Sequence, residues 1–232
     1  MRIAIPLYDR FTALDAVGPY EVLSRLPDAE VSFVGEHTGP VRTDTGALAI
    51  TVDERLDDVD ACDVIVVPGG PGTRAMLEPG PLHEWIRRVH PTTQWTTSVC
   101  TGSLILGAAG LLEGLEATTH WGALPELVPL CGTAVGDRGR QRVLDRTPAV
   151  GDRRVIPQGK IVTAAGVSSG IDMALWLAAQ IAGDDIAKAI QLNIEYDPQP
   201  PFDAGSASKA GPEVMTALGE VMAAAQASAQ AG

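Results

Sequence analysis

The segment with the clearest chemical promise is Trp95-Thr-Thr-Ser-Val-Cys100-Thr-Gly-Ser-Leu-Ile-Leu. Its first half reads as a short strand and its second half as a small, apolar helix, so Cys100 falls at the junction. Ser98 and Gly102 flank the cysteine, as a crowded nucleophile elbow requires. Such a turn lifts a side chain above the carboxyl edge of a sheet, where open α/β folds bind ligands. Amides at the start of the following helix favour thiolate over thiol. The competing reading is a buried, inert cysteine, common among free thiols.

A second segment, Pro68-Gly69-Gly70-Pro71-Gly72, also follows an apolar run. Glycines there let a backbone approach a ligand and offer amides to developing negative charge. A plain tight strand-to-helix connection is the simpler reading of the same residues. The spacing is neither a P-loop nor a dinucleotide fingerprint. His120 ends a further apolar segment, and its two readings are a pocket residue near the cysteine and a hydrogen-bonded wall residue. His37, His83 and His90 show no partner pattern and no metal-ligand spacing. Cys62, beside Asp60 and Asp63, and Cys131 have neighbours that would not lower a thiol pKa, and both read as structural. Trp85, Trp95 and Trp176 read as packing residues, whereas Trp121 can also line a pocket.

The surrounding elements alternate in type. Strands are expected at Arg2–Leu7, Glu30–Gly35, Asp63–Val67, Trp95–Val99, Leu115–His120 and Lys160–Ala164, with a hairpin or edge strand at Leu48–Val52. Asp63–Val67 carries an unbroken apolar run, the signature of a parallel strand buried on both faces. Helices are expected over Leu14–Leu26, Pro81–His90, Ser103–Leu112 (stopped by Gly114), Trp121–Leu130, Val167–Ile181 and Glu213–Gln226. Ser168 and Ser169 are the N-cap candidates of the fifth helix and Gly183 its stop. Residues 132–159 read as short strands with exposed connections. This alternation predicts a three-layer α/β/α sandwich around a mostly parallel sheet over residues 1–200. A loop, a helix and an Ala-rich tail follow over 201–232, docked on the same domain or at a subunit contact.

Seventeen Lys and Arg stand against 29 Asp and Glu, a formal net charge of −12. That balance disfavours nucleic acid, whose phosphates call for clustered cations. No apolar run approaches the length of a membrane span, and the first residues lack the pattern of a signal peptide. Three cysteines, an odd number, suit a reducing compartment. A cytoplasmic protein without nucleic-acid or membrane partners is expected.

Cys100-Thr101-Gly102-Ser103, Ala117-Thr-Thr-His-Trp121, the Pro68-Gly-Gly loop and Gly166-Val-Ser-Ser-Gly-Ile-Asp172 together resemble the DJ-1/PfpI superfamily, and within it the isonitrile (isocyanide) hydratases. The likeness runs from Ile3 through Leu14-Asp15-Ala-Val-Gly-Pro-Tyr-Glu-Val-Leu23 to Glu195-Tyr-Asp-Pro-Gln-Pro-Pro-Phe-Asp-Ala-Gly205. It implies a flavodoxin-like fold of the class I glutamine amidotransferase type, a homodimer, no metal or organic cofactor, and Cys100 as nucleophile. It also implies an acidic partner from the first helix. Many members resemble one another in having Glu there, and this chain, like the hydratases, has Asp15, with Glu21 as competitor.

Thr101 stands where peptidase-like members have His, which argues against a Cys-His dyad. The resemblance thus implies Cys100, Asp15 and Thr101 as catalytic residues, with Gly69, Gly70 and His120 at the oxyanion or substrate. The implied reaction is isocyanide hydration to an N-substituted formamide through a cysteine thioimidate. Alternatives are a non-catalytic ligand or redox sensor, whose Cys100 oxidises, and a glyoxalase- or deglycase-like enzyme. Sensor domains of some AraC-type regulators resemble this chain in the same motifs. The residues after Phe202 are too few and too acidic for the DNA-binding helices those regulators carry.

Overall fold

A computed structural model describes residues 1–131 and 154–231. In chain order the elements are β1 (Arg2–Pro6), α1 (Ala13–Leu23), β2 (Glu30–Gly35), β3 (Gly39–Arg42), β4 (Ala49–Val52), β5 (Glu54–Arg55), β6 (Val64–Val67), α2 (Pro81–Val89), β7 (Trp95–Val99), α3 (Gly102–Ala108) and α4 (Leu124–Leu127). After residue 153 come β8 (Val155–Gln158), β9 (Ile161–Ala164), α5 (Ser169–Ala182), α6 (Asp184–Asn193) and α7 (Pro212–Ala231). Short 3-10 turns at Pro71–Met76 and Trp121–Ala123 complete the parts that bear on the site.

A seven-stranded sheet runs in the order β5-β2-β1-β6-β7-β9-β8. All pairs are parallel except β8 with β9. The continuous apolar run of β6 has the predicted consequence: all four of its residues are buried between β1 and β7. From β1 the chain moves one way through α1 to β2, and from β6 the other way through α2 to β7. Right-handed crossovers in opposite directions place α1 and α2 on opposite faces. Accordingly α1 packs with α5 and α5 with α6, while α2 packs with α3 and α3 with α4. The reversal between β1 and β6 is a topological switch point, where the carboxyl ends of the strands open a crevice.

Several boundaries differ from expectation for local reasons. Residues 115–120 join no strand. The segment is held against the sheet by side chains, with the Thr118 N–H donated to Thr163 Oγ1 at 2.9 Å and the Thr119 hydroxyl to the Cys100 carbonyl at 3.0 Å, rather than by a ladder. The helix after the elbow stops at Ala108, because Gly110 already takes a left-handed φ of 80°. Trp121–Leu130 is a 3-10 turn followed by a single α-turn. Gly39–Arg42, unmarked in the sequence, pairs with β4 as a separate two-stranded sheet. Ser168 takes the N-cap position of α5 without capping it, its hydroxyl accepting from Arg154 instead, while Gly183 ends that helix as expected. Of residues 132–159, those up to 153 lie outside the described residues.

The chain divides into two compact units, Met1–Tyr196 and Asp197–Gly232. The first is closed by its own last side chain: Tyr196 Oη donates to Asp172 Oδ1 at 2.8 Å, and Arg154 pairs with the same carboxylate. The second carries α7, longer at both ends than expected. Among the described residues no helix is long and apolar enough to cross a membrane.

Candidate active site

Cys100 leaves β7 with a φ of 54°, a left-handed conformation for a non-glycine residue. Such a residue costs on the order of 1–3 kcal/mol and persists only where its surroundings over-determine it. Here both backbone groups are pinned. The Cys100 N–H is shared between the carbonyls of Ala164 at 3.1 Å and Ala165 at 2.9 Å. Its carbonyl accepts the hydroxyls of Ser103 at 3.2 Å and Thr119 at 3.0 Å. Gly102 then passes so close to β6 that a Cβ there would lie 2.2 Å from the Val67 carbonyl oxygen. Gly102→Ala must therefore displace backbone, and should destabilise the protein by roughly 3 kcal/mol in urea unfolding. A loss within experimental error would contradict this packing.

The residue is 5 % exposed. Burial pushes the Cys100 thiol up to about 12, the Asp15 carboxylate raises it further, and the N–H groups of Val167 and Thr101 and the Thr101 hydroxyl pull the other way. The thiolate expected from helix amides is thus not the resting state. Desolvation and a neighbouring carboxylate outweigh the amides at the head of a seven-residue helix.

Asp15 lies in the first turn of α1 and is wholly buried. Its Oδ2 accepts the Gly69 N–H at 2.9 Å, and Oδ1 has no hydrogen-bond partner among the described residues. Burial pushes its carboxyl up to about 7, opposed by the Gly69 N–H and the Cys100 thiol and assisted by Asp44. Carboxyl and sulfur thus sit side by side with both groups driven towards their neutral forms. Glu21 is elsewhere, ion-paired at 2.8 Å with Arg25 and about half exposed.

The glycine loop has a role different from the one its composition suggests. The Gly70 N–H donates to Thr101 Oγ1 at 2.8 Å, and the Gly69 N–H is committed to Asp15. Both amides are thus engaged within the protein in this structure. The loop is a clamp: Gly69 O accepts the Thr12 N–H at 2.8 Å, tying it to the start of α1. A Cβ on Gly69 would fall 2.4 Å from Thr101 N, so the loop lies flat against the elbow. The Thr101 hydroxyl is held inside this clamp, and both it and the Thr101 N–H act on the sulfur.

His120 is placed beside the elbow but not in the pair. Its neighbour Thr119 holds the Cys100 carbonyl, and its own Nδ1 accepts the Gly122 N–H at 3.2 Å. Burial, then Arg74, lower its pKa, so the ring is neutral with its proton on Nε2. It joins neither Cys100 nor Asp15 by a hydrogen bond among the described residues. Trp121 packs against it with ring centroids 5.5 Å apart and stays 38 % exposed.

Cys62 and Cys131 are buried, with thiols pushed up to about 12 and about 11. Trp85 is buried, and Trp95 packs edge-on against Trp176. No group of three or more His, Cys, Asp or Glu among the described residues is arranged to hold a metal. Residues the sequence reading passes over also belong here: Tyr8, Thr73, Asp44 and Val167. Only Tyr8 had a visible signal, its place just past the carboxyl end of the first strand.

The comparisons with known proteins give the family. The model of the DJ-1/PfpI family matches residues 1–180. An isonitrile hydratase from Pseudomonas putida is 41% identical over 206 residues, 89% of this chain and 83% of that protein. A crystal structure of a THiJ/PfpI family protein from Pseudomonas syringae superposes with a TM-score of 0.82 at 33% identity, covering 99% of this chain and 89% of the other. Oxidised Toxoplasma gondii DJ-1, at 23% identity and a TM-score of 0.67 over 85% of this chain and 99% of its own, shares the flavodoxin-like fold. The chain belongs to the DJ-1/PfpI family.

Proposed function

We propose that this chain hydrates isocyanides to N-substituted formamides, with Cys100 as nucleophile and Asp15 as the group that moves the proton. The observation that carries the reading is the buried Asp15 carboxyl beside the Cys100 sulfur, with one oxygen unpartnered and a pKa of about 7. The 41% identity to a protein named isonitrile hydratase supports the choice of substrate class.

The terminal carbon of an isocyanide accepts a nucleophile once it also receives a proton. At neutral pH the Cys100 sulfur keeps its proton and the Asp15 carboxyl is about half protonated, so the reactive form is the one with Asp15 ionised. Asp15 takes that proton from sulfur and delivers it to the terminal carbon as the thiolate attacks the same carbon. The product is a thioimidate, R–N=CH–S–Cys, formed by addition of S–H with nothing released. Water then adds to the thioimidate carbon with Asp15 accepting its proton. The carbon–sulfur bond breaks, the nitrogen is protonated, and R–NH–CHO leaves with the thiol restored. The Thr101 and Val167 N–H groups that face the sulfur stabilise the thiolate as it forms.

A small alkyl isocyanide and, separately, methylglyoxal incubated with the protein discriminate the readings. The formyl proton of the N-alkylformamide should grow in the NMR spectrum of the first sample with catalytic turnover. Lactate from methylglyoxal with no formamide would replace the hydratase reading with a glyoxalase one. Binding of the isocyanide with no product from either compound would favour a sensor.

A further inference from the structure

Three buried hydroxyls link three separate chain segments behind the reacting pair. Tyr8 follows β1, Thr73 sits in the turn after β6, and Thr101 is the residue after the elbow cysteine. Tyr8 Oη donates to the Pro68 carbonyl at 2.8 Å and lies 3.0 Å from Thr73 Oγ1. Thr73 Oγ1 in turn lies 2.9 Å from Thr101 Oγ1.

Pro68 O is an acceptor only, so it takes the Tyr8 proton and leaves Tyr8 Oη to accept from Thr73. Thr101 Oγ1 accepts the Gly70 N–H at 2.8 Å, and its own proton is shared among the Gly70 carbonyl at 3.2 Å, Thr73 Oγ1 and the Cys100 sulfur. Thr101 thus bonds both the N–H and the carbonyl of Gly70, which fixes the glycine loop against the elbow. Thr73 is wholly buried and Tyr8 and Thr101 nearly so, so a broken link finds no water to replace it. The Tyr8 hydroxyl stays protonated: burial raises its pKa first, and Asp15 and Cys100 raise it too.

We propose that Tyr8 and Thr73 are positioning residues for the Cys100–Asp15 pair: their hydroxyl chain to Thr101 holds the loop in the place where the Gly69 N–H meets Asp15 Oδ2 and the Thr101 N–H meets the sulfur. Neither residue touches the reacting atoms. Gly69 and Gly70 are consecutive, one bonded to the acid and the other to Thr101, so a shift of the loop is felt at Asp15 within one peptide unit. The other titratable groups acting on Asp15 are Cys100 from the elbow and Asp44 from the β3–β4 connection, and neither is altered by changes at Tyr8 or Thr73.

The inference rests on the isocyanide reading only for its kinetic arm. Wild type, Thr73→Val, Thr73→Ser and Tyr8→Phe are compared by iodoacetamide alkylation of Cys100 against pH, followed by mass spectrometry, and by isocyanide kinetics. Wild-type alkylation should be slow at neutral pH and climb towards high pH, since burial holds the thiol up to about 12. In Thr73→Val the Thr101 N–H no longer meets the sulfur well, so alkylation at pH 9 should slow about threefold or more. kcat should fall about tenfold with KM within about twofold, since the lost contact orients the reacting groups and not the substrate.

Thr73→Ser should restore both quantities, and Tyr8→Phe should shift both in the Thr73→Val direction by less. Folded Thr73→Val and Tyr8→Phe proteins with wild-type profiles, or a Thr73→Ser protein as impaired as Thr73→Val, would overturn the proposal. Should Thr73→Val not fold, Tyr8→Phe and Thr73→Ser decide the matter. A shifted alkylation profile in a protein that turns over no isocyanide would keep the positioning role and discard the substrate.

Discussion

Cys100→Ala is expected to remove formamide formation entirely while leaving a folded protein. The sulfur is the only group in the site that can form the thioimidate. The carboxyl beside it cannot replace it, since its pKa near 7 suits proton transfer rather than attack on carbon. The substitution should be structurally mild. Alanine takes over the same left-handed φ, and the hydrogen bonds pinning the elbow all go to backbone groups of residue 100. Loss of the thiol also removes an interaction that lowers the Asp15 pKa, so that carboxyl should titrate above about 7 in the variant. Circular dichroism with a formamide assay checks both halves. Turnover of even one per cent of wild type would require another nucleophile.

Asp15→Asn should produce two effects of opposite sign. Activity should fall on the order of a thousandfold, the scale of a lost general acid-base group. Stability should rise, but only at the right pH. The folded-state pKa of Asp15, about 7, lies above its model value of 3.8. The stabilisation from the neutral carboxyl is therefore fully present below about 4 and is lost as pH rises through about 7. Above that, wild type carries an ionised group in a wholly buried site, a cost on the order of 2–4 kcal/mol from a shift of about three units. Asparagine cannot ionise, so its advantage should appear above pH 7 and vanish near pH 4. Urea unfolding of both proteins at pH 5 and pH 9 reads this difference. Equal stability of the two at pH 9 would contradict the buried charge. By the same titration, wild-type kcat/KM should decline as pH falls through about 7, because a second proton on the pair leaves no base to take the thiol proton.

These expectations depend on features of uneven visibility in the sequence. Val64–Val67 announces its place between two parallel neighbours, because a strand buried on both faces tolerates no polar alternation. Cys100 is equally legible, since a short strand, small flanking residues and a small apolar helix leave it only the turn. Asp15 is legible only through resemblance. A carboxylate in a first helical turn is ordinarily a solvated helix-dipole partner, and nothing local foretells complete burial.

The hydrogen bonds of the glycine loop were out of reach for another reason. Gly70 and Thr101 are 31 positions apart, and whether an amide is free depends on which side chain the fold brings against it. The same holds for the thiol. Helix amides are visible in the sequence, whereas the desolvation that overrules them belongs to the packed site. Residues 115–120 show the same limit, because a short apolar, Thr-rich segment looks alike whether backbone pairing or side-chain hydrogen bonds hold it to a sheet.

The central claim is that Cys100 becomes covalently attached to the terminal carbon of an isocyanide. Rapid acid quench of the wild-type protein with excess isocyanide, followed by intact-mass and peptide mass spectrometry, tests it directly. Because S–H adds without loss of any atom, the protein should gain the full mass of the isocyanide, carried on the peptide containing Cys100 and absent from Cys100→Ala. Steady formamide production with no adduct at any quench time, or an adduct confined to Cys62 or Cys131, would contradict it.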